Sequence, residues 1–145
     1  MARASYLEEN SGATYGIKKK VEKITAARTL TNDDSGKIFM LDSAGGAYAI
    51  TLPTAATGED GVHYKFIVEE ETPTGAITIA AGSASVSFVQ KDAGGNASNS
   101  TVGTQVSNVI IGTSAQKADV VELMYTNGEY VGTVLSGIDD AVTTS

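Results

Sequence analysis

One segment, ADVVELMYTNGEYVGTVLSG at residues 118–137, constrains the fold more than any other part of the chain. Two runs of alternating apolar residues flank Asn127-Gly128, a dipeptide that readily adopts the positive φ angles of a type I′ turn. A two-residue turn of this type sets the register of a β-hairpin, so Tyr125 is expected to face Tyr130. The segment therefore predicts an antiparallel pair of strands.

The predicted hairpin is apolar on both faces. Side chains alternate between the two faces of a strand, which separates the tyrosine side of the hairpin from a second apolar set. A hairpin of this kind either lies centrally between two layers or has its second face covered by another chain. The candidate subunit or partner interface consists of Val120, Met124, Val131 and Leu135.

Short alternating segments separated by turns continue through the chain. Sixteen glycines and only two prolines favour frequent turns. The SAGG segment at 43–46 predicts a hairpin, and the β-branched threonines of residues 20–30 favour a strand there over a helix. Further strands are predicted at 37–42, 47–52, 62–70, 76–81, 85–90 and 107–114.

This pattern predicts an all-β protein, an antiparallel β-sandwich or barrel-like domain with an extended N-terminal arm. The arm spans residues 1–19, the β domain residues 20–137, and a C-terminal tail residues 138–145. The N-terminus has no continuous apolar region typical of a secretory signal, and no run approaches the ~20 apolar residues of a membrane span. We therefore expect synthesis in the cytoplasm and no membrane partner.

The charge is distributed unevenly along the chain. Residues 1–30 hold six of the ten basic groups and three of the seventeen acidic ones, so the remainder is strongly acidic. An acidic body repels nucleic acid, which predicts no direct nucleic-acid binding. The basic segment is either a solvated charge run or an anchor onto an acidic partner, with two tyrosines as aromatic anchors. Its candidate residues are Arg3, Tyr6, Tyr15, Lys18, Lys19, Lys20 and Lys23.

Residues with catalytic or metal-binding chemistry are few and poorly spaced. There is no cysteine, and the single histidine, His63, lies in an apolar strand pattern that predicts a structural or surface role. The carboxylate clusters at 33–34, 69–71 and 139–140 fall in a turn, at a strand end and in the tail. Neighbouring residues of a strand point to opposite faces, so none of these clusters forms an acid–base dyad. We predict no enzymatic activity, no metal and no cofactor.

The segment TLTNDDSGKIFMLDSAGGAYAITLP, residues 29–53, contains a D-S-G turn, an A-G-G turn and the tripeptide T-L-P. It is followed by F-I-V at 66–68 and by the hairpin, with V-E-L at 121–123 and Y-V at 130–131. In these motifs, which cover residues 29–137, the chain resembles the capsid decoration proteins of tailed phages. That family commonly has a tryptophan before the hairpin tyrosine, where this chain has Glu129.

The resemblance implies a cement protein on the outer surface of the phage head, with the major capsid protein as partner. In that role the arm residues named above would contact the shell, which the protein would stabilise by bridging neighbouring capsid subunits. The resemblance also implies self-association, as a trimer or alternatively as a dimer. A second interpretation is a tail-fibre or other virion-surface module for host recognition, in which the loop at 91–105 would form the recognition surface.

Overall fold

Two β-sheets packed face to face make up the part of the protein that the computed structural model describes, residues 18–54, 56–91 and 106–145. The six-stranded sheet has the order β1-β3-β5-β9-β10-β7, and the five-stranded sheet has the order β11-β8-β6-β4-β2. The all-β sandwich predicted from the alternating pattern is confirmed. The strands are β1 (Val21–Ile24), β2 (Arg28–Thr29), β3 (Ile38–Leu41), β4 (Tyr48–Thr51), β5 (His63–Val68), β6 (Ile77–Ala80), β7 (Ser85–Lys91), β8 (Asn108–Ile111), β9 (Val120–Thr126), β10 (Glu129–Leu135) and β11 (Val142–Thr144).

Both sheets are mixed, so the predicted antiparallel arrangement is wrong in part. From β1 to β9, successive strands alternate between the two sheets; strands two apart in sequence pair in parallel in β1-β3-β5 and β2-β4-β6, whereas β6 and β8 pair antiparallel. The segment 43–46 is not a hairpin turn, because β3 and β4 lie in different sheets. Alternation of apolar residues is the same in a strand that turns back within its sheet and in one that crosses to the other sheet. Local pattern therefore cannot distinguish the two.

The crossing connections at one end of the sandwich stack on one another. The Asp42 N–H donates to the carbonyl oxygen of Ile24 at 3.0 Å, and the Glu69 N–H donates to that of Leu41 at 2.9 Å. The ammonium group of Lys23 lies 2.6 Å from a carboxylate oxygen of Asp42 and 3.0 Å from one of Glu69. Hydrogen bonds and ion pairs thus join the β1-β2, β3-β4 and β5-β6 crossings at one end of the domain.

Ser43 connects two of these crossings from a fully buried position. Its hydroxyl accepts a hydrogen bond from the Gly75 N–H at 3.1 Å and donates to the Glu70 carboxylate at 3.3 Å. Gly75 lies directly against the backbone of Ala47. The two connections approach this closely only because position 75 lacks a side chain.

The β9-β10 hairpin has the register that the sequence predicts. Tyr125 pairs with Tyr130, Leu123 with Gly132 and Val121 with Val134. Asn127 and Gly128 have φ angles of 50° and 87°, the positive values that a type I′ turn requires. This hairpin holds β10 in the middle of the six-stranded sheet, between β9 and the parallel neighbour β7.

A row of aromatic rings lines the inner face of the six-stranded sheet. The ring centroids of Phe39 and Phe66 are 5.6 Å apart, those of Tyr64 and Tyr130 are 6.5 Å apart, and those of Tyr125 and Tyr130 are 5.1 Å apart. These distances are typical of favourable aromatic pairs. The aromatic row packs against isoleucine and valine side chains of the other sheet within a single hydrophobic core.

Tyrosine hydroxyls also connect the two layers. Tyr130 of β10 donates to the carbonyl oxygen of Pro53, just after β4, at 2.8 Å, and Tyr48 of β4 donates to that of Ile24 in β1 at 2.9 Å. Burial raises the pKa of Tyr48 to about 12 and also raises the pKa of Tyr130. Both phenols therefore remain protonated hydrogen-bond donors at any physiological pH.

The C-terminal segment 138–145 was predicted to be a tail, but it contributes the edge strand β11 to the five-stranded sheet. Ala141 and Val142 are buried in the core, and Thr143 pairs with Ile110 of β8. Three residues are too short a run to show alternation. The strand forms because β8 offers an open edge, which is a property of the folded sheet.

Substitution of Gly75 with alanine is expected to destabilise the domain. A Cβ atom at this position would lie 2.2 Å from the Ala47 nitrogen, and overpacking of this kind costs about 1–3 kcal/mol. The matched control is Gly45→Ala, whose Cβ would come no closer than 3.9 Å, to the Thr25 carbonyl oxygen. Urea unfolding of both variants checks this, and equal midpoints would contradict the stacking described here.

Candidate interaction surface

The outer face of the six-stranded sheet, the side directed away from the five-stranded sheet, carries an unbroken row of apolar side chains. Paired residues on neighbouring strands project on the same side, so the register of the sheet defines the row. We call the four residues Leu135, Val120, Ile67 and Met40, from β10, β9, β5 and β3, the apolar row. Lys91 of β7 and Lys23 of β1 lie at its two ends.

Exposure of large apolar side chains is confined to this face. Of the described residues, four large apolar side chains are strongly exposed, namely Val21 (59%), Val89 (52%), Met124 (44%) and Leu135 (52%). All four belong to strands of the six-stranded sheet and point outward. The outer face of the five-stranded sheet differs, since its strand residues are uncharged and mostly small: Thr29, Ala49, Thr51, Thr78, Ala80, Asn108, Ile110 and Thr143.

A groove of about 420 Å³ crosses β5, β9 and β10 on the outer face. Met124 and Val131, which pair across the hairpin, supply apolar walls, while Lys19 and His63 contribute polar groups to the lining. The groove also contains the ion pair between Lys65 and Glu122, with 2.6 Å between the ammonium nitrogen and the carboxylate oxygen. The groove therefore combines an apolar surface with basic groups.

His63 is exposed on the outer face, consistent with the predicted surface role. Its Nδ1 lies 3.1 Å from the carbonyl oxygen of Gly61, and its backbone N–H donates to the hydroxyl of Ser35 at 3.1 Å. Because a carbonyl oxygen can only accept, Nδ1 carries the proton in this contact. These contacts anchor the start of β5, and Nε2 lies close to Gly36.

The structure brings together the four interface residues predicted from the hairpin. Val120, Met124, Val131 and Leu135 all lie on the outer face, with Leu135 and Met124 the most exposed of them. Sequence reasoning missed Met40 and Ile67, which complete the apolar row. Their signal was present, since each follows a buried phenylalanine in its strand and so must point outward.

The structure describes only part of the predicted basic anchor. Arg3, Tyr6 and Tyr15 lie outside the described residues. Lys18, Lys19 and Lys20 are exposed immediately before β1, and no carboxylate of the described part of the chain lies within 4 Å of their ammonium groups. Lys23 differs, because Asp42 and Glu69 already compensate its charge.

Asp34 is the most enclosed of the carboxylates considered as catalytic candidates, and it caps a turn as its sequence context suggests. It accepts a hydrogen bond from the Thr31 N–H at 3.0 Å, contacts Arg28 at 3.2 Å and pairs with Lys37. Burial raises the pKa of the Asp34 carboxyl, but Lys37, the Thr31 N–H and Arg28 together outweigh burial, and the net pKa is lowered. The carboxylate is therefore an ionised structural group.

Asp119 is also buried and is surrounded by donors of its own chain. It accepts hydrogen bonds from the Gln116 N–H at 2.9 Å, the Ser136 hydroxyl at 3.0 Å and the Gly137 N–H at 2.7 Å. These bonds join the connection before β9 to the one after β10. The carboxylate therefore has a structural role that needs no ligand.

Comparisons with known proteins add no assignment to this picture. No protein-family model matches the chain, and a search of curated proteins found no similar sequence. Within the described ranges, no group of three or more histidine, aspartate or glutamate side chains is arranged to hold a metal ion. No helix in the same ranges is long and apolar enough to cross a membrane.

The substitution Asp34→Asn is expected to lower the free energy of unfolding by about 1–3 kcal/mol at pH 7, because Lys37 and Arg28 lose a charged partner. Since the folded-state pKa lies below the ordinary 3.8, the stabilisation is complete above that pH and is lost as the pH falls through the folded-state value. Denaturant unfolding between pH 2 and 7 should show the difference from the parent shrinking in acid. The control is Asp33→Asn at the exposed neighbouring position, which should change stability little; equal effects of both variants would contradict this role.

Proposed function

We propose that the protein is a virion structural protein, a capsid decoration or cement protein that binds the outer surface of a tailed-phage head and bridges neighbouring major capsid subunits. The observation that supports this most directly is the outer face of the six-stranded sheet. It collects the strongly exposed large apolar side chains of the described residues on one side of the domain. Apolar patches of this kind mark protein–protein contacts.

The motifs across residues 29–137 support the same role, since the D-S-G, A-G-G and T-L-P elements resemble those of the decoration proteins. In the structure, these motifs form the turns and crossings that connect the two sheets. They therefore contribute to a rigid scaffold. A rigid scaffold suits an adhesive protein, because little conformational freedom is lost when it binds.

Charge supports an orientation on the shell. The chain as a whole is acidic, with a net charge of −7, whereas Lys18, Lys19 and Lys20 are exposed and have no carboxylate partner in the described part of the chain. In this proposal the lysines face the shell, and the acidic remainder faces solvent. The acidic remainder then keeps the free protein soluble.

Stabilisation of the shell follows from thermodynamic linkage between binding and assembly. A protein that binds the assembled shell and not its separated subunits shifts the equilibrium toward the shell by an amount set by its concentration and affinity. If each copy, or each oligomer, touches two or more capsid subunits, avidity increases the effect without any new type of contact. We propose a trimer as the binding unit, with a dimer as the alternative, located on the virion after synthesis in the host cytoplasm.

The protein is expected to co-sediment with mature phage heads that lack it, reaching saturation at a fixed ratio to the major capsid protein. The bound fraction should fall at high salt if the lysines contribute, because salt screens exposed charges. Heads already carrying the protein are the control and should bind no more of it. Absence of binding to heads, together with binding to host-cell surfaces, would instead favour the host-recognition module.

Deletion of residues 1–17 is expected to weaken head binding while leaving the β domain folded, since the strands β1 to β11 and the hydrophobic core described above lie within residues 21–144. The reason is the loss of Arg3, Tyr6 and Tyr15 as shell contacts. Circular dichroism and thermal unfolding check the fold, and co-sedimentation checks the affinity. Unchanged affinity in a folded protein would remove the arm from the mechanism.

A further inference from the structure

We infer that the shell-contacting surface is the outer face of the six-stranded sheet, and that its groove binds an exposed segment of the capsid protein in which a carboxylate lies beside apolar side chains. This inference rests on the proposed function and specifies the surface and the chemistry that it recognises. It stands on residues that the structure describes, including Lys19 at the end of the predicted arm.

The two outer faces of the sandwich differ in the side chains that they expose. Both lie on the outside of one sandwich and are built from strands, yet large exposed apolar side chains occur on only one of them within the described residues. The apolar row also crosses four strands from three separate parts of the sequence, so it arises from the sheet register and not from one local run. A solvated face has no physical need for such a row, whereas a contact surface does.

The area of the outer face limits how tightly one copy can bind. Six strands spaced about 4.8 Å apart span about 24 Å, and strands of four to seven residues are about 13–23 Å long, which gives the face at most roughly 550 Å². A standard interface buries about 800 Å² on each partner. One copy of the face therefore supports a contact of modest affinity. This suits a protein that binds in many copies, where avidity supplies the rest.

The lysines of this face fit a partner that carries a carboxylate. Lys19 lines the groove beside Met124 and Val131, and Lys91 lies at one end of the apolar row. No carboxylate of the described residues is within 4 Å of either ammonium group. Lys65, by contrast, is already paired with Glu122. A partner segment that carries a carboxylate would compensate Lys19 while its apolar side chains cover Met124 and Val131.

Charge distinguishes such a capsid segment from a second copy of this protein as the occupant of the groove. A second copy of this face would bring the carboxylates of Glu122 and Glu129, of which Glu122 is already paired with Lys65, so it would compensate Lys19 and Lys91 only in part. Burial of unpaired charge is costly. Charge complementarity therefore favours an acidic and apolar segment of a different protein.

The first test replaces Met124 with glutamate, which puts a negative charge on an apolar wall of the groove. Binding to heads that lack the protein, measured by co-sedimentation, is expected to weaken about tenfold or more. The matched control is Ile110→Glu on the outer face of the five-stranded sheet, which should bind as the parent does. Circular dichroism and thermal unfolding confirm that both variants are folded.

The second test separates the charge from the apolar contact. Lys19→Glu is expected to weaken head binding about three- to tenfold, and the loss should shrink at high salt, whereas Lys19→Arg retains binding. The control is Lys117→Glu, an exposed lysine in the connection before β9 that should tolerate reversal. Parent-like binding by both Met124→Glu and Lys19→Glu would overturn the inference and leave the proposed function intact.

Other outcomes are distinguishable. Failure of the parent protein itself to bind heads would contradict the proposed function, independently of the surface. A change in oligomeric state of Met124→Glu in analytical ultracentrifugation, with head binding unaltered, would show that a second copy occupies the face and would overturn the inference. Tighter head binding after deletion of residues 1–17 would show that this segment competes with heads for the face, which would support the inference and contradict the contribution expected of the arm.

Discussion

Packing of the aromatic row against the aliphatic inner face of the five-stranded sheet is the interaction on which the rest of the structure depends. Phe39, Phe66, Tyr64 and Tyr130 are almost completely buried, and each side chain of this kind stabilises the fold by about 1.5–3 kcal/mol. The hydroxyls of the buried tyrosines are satisfied by backbone carbonyl oxygens, as in the bond from Tyr130 to Pro53. The row thus contributes apolar contact and a defined spacing between the layers at the same time.

The crossing connections also follow from this packing. A chain that moves from one sheet to the other at nearly every turn places successive strands on opposite sides of the core, so pairing within a sheet comes from strands two or more apart in sequence, except in the β9-β10 hairpin. The connections then stack, and contacts such as Gly75 on Ala47 are required. The ion pairs of Lys23 and the hydrogen bonds of Ser43 and Asp34 hold these connections in place. Most of the enclosed charged groups in the domain are thereby given structural roles.

Only one face of each sheet is needed for the core, and the composition of the two remaining faces can therefore respond to function. The five-stranded sheet presents threonine, alanine and other uncharged side chains to the outside. The six-stranded sheet presents the apolar row, a groove, and two lysines, Lys19 and Lys91, that have no carboxylate partner among the described residues. Stability alone requires no such difference. The proposed contact with a phage shell accounts for it, because an adhesive protein needs one face for its partner and one face that remains in solvent.

The sequence by itself determined the all-β class and the β9-β10 hairpin with its register, because Asn127-Gly128 and the alternation around it are local signals that depend only on neighbouring residues. Those signals also sufficed to place Val120, Met124, Val131 and Leu135 on one face, since alternation and turn type decide which residues share a side. The tertiary structure alone decided that β3 and β4 lie in different sheets, that Val142–Thr144 adds an edge strand, and that Met40 and Ile67 align with the hairpin residues. The position of Lys19 at the groove was likewise decided by the tertiary structure. The physical reason is that parallel pairing between strands two apart depends on how distant segments pack on the core, and no short stretch of sequence carries that information.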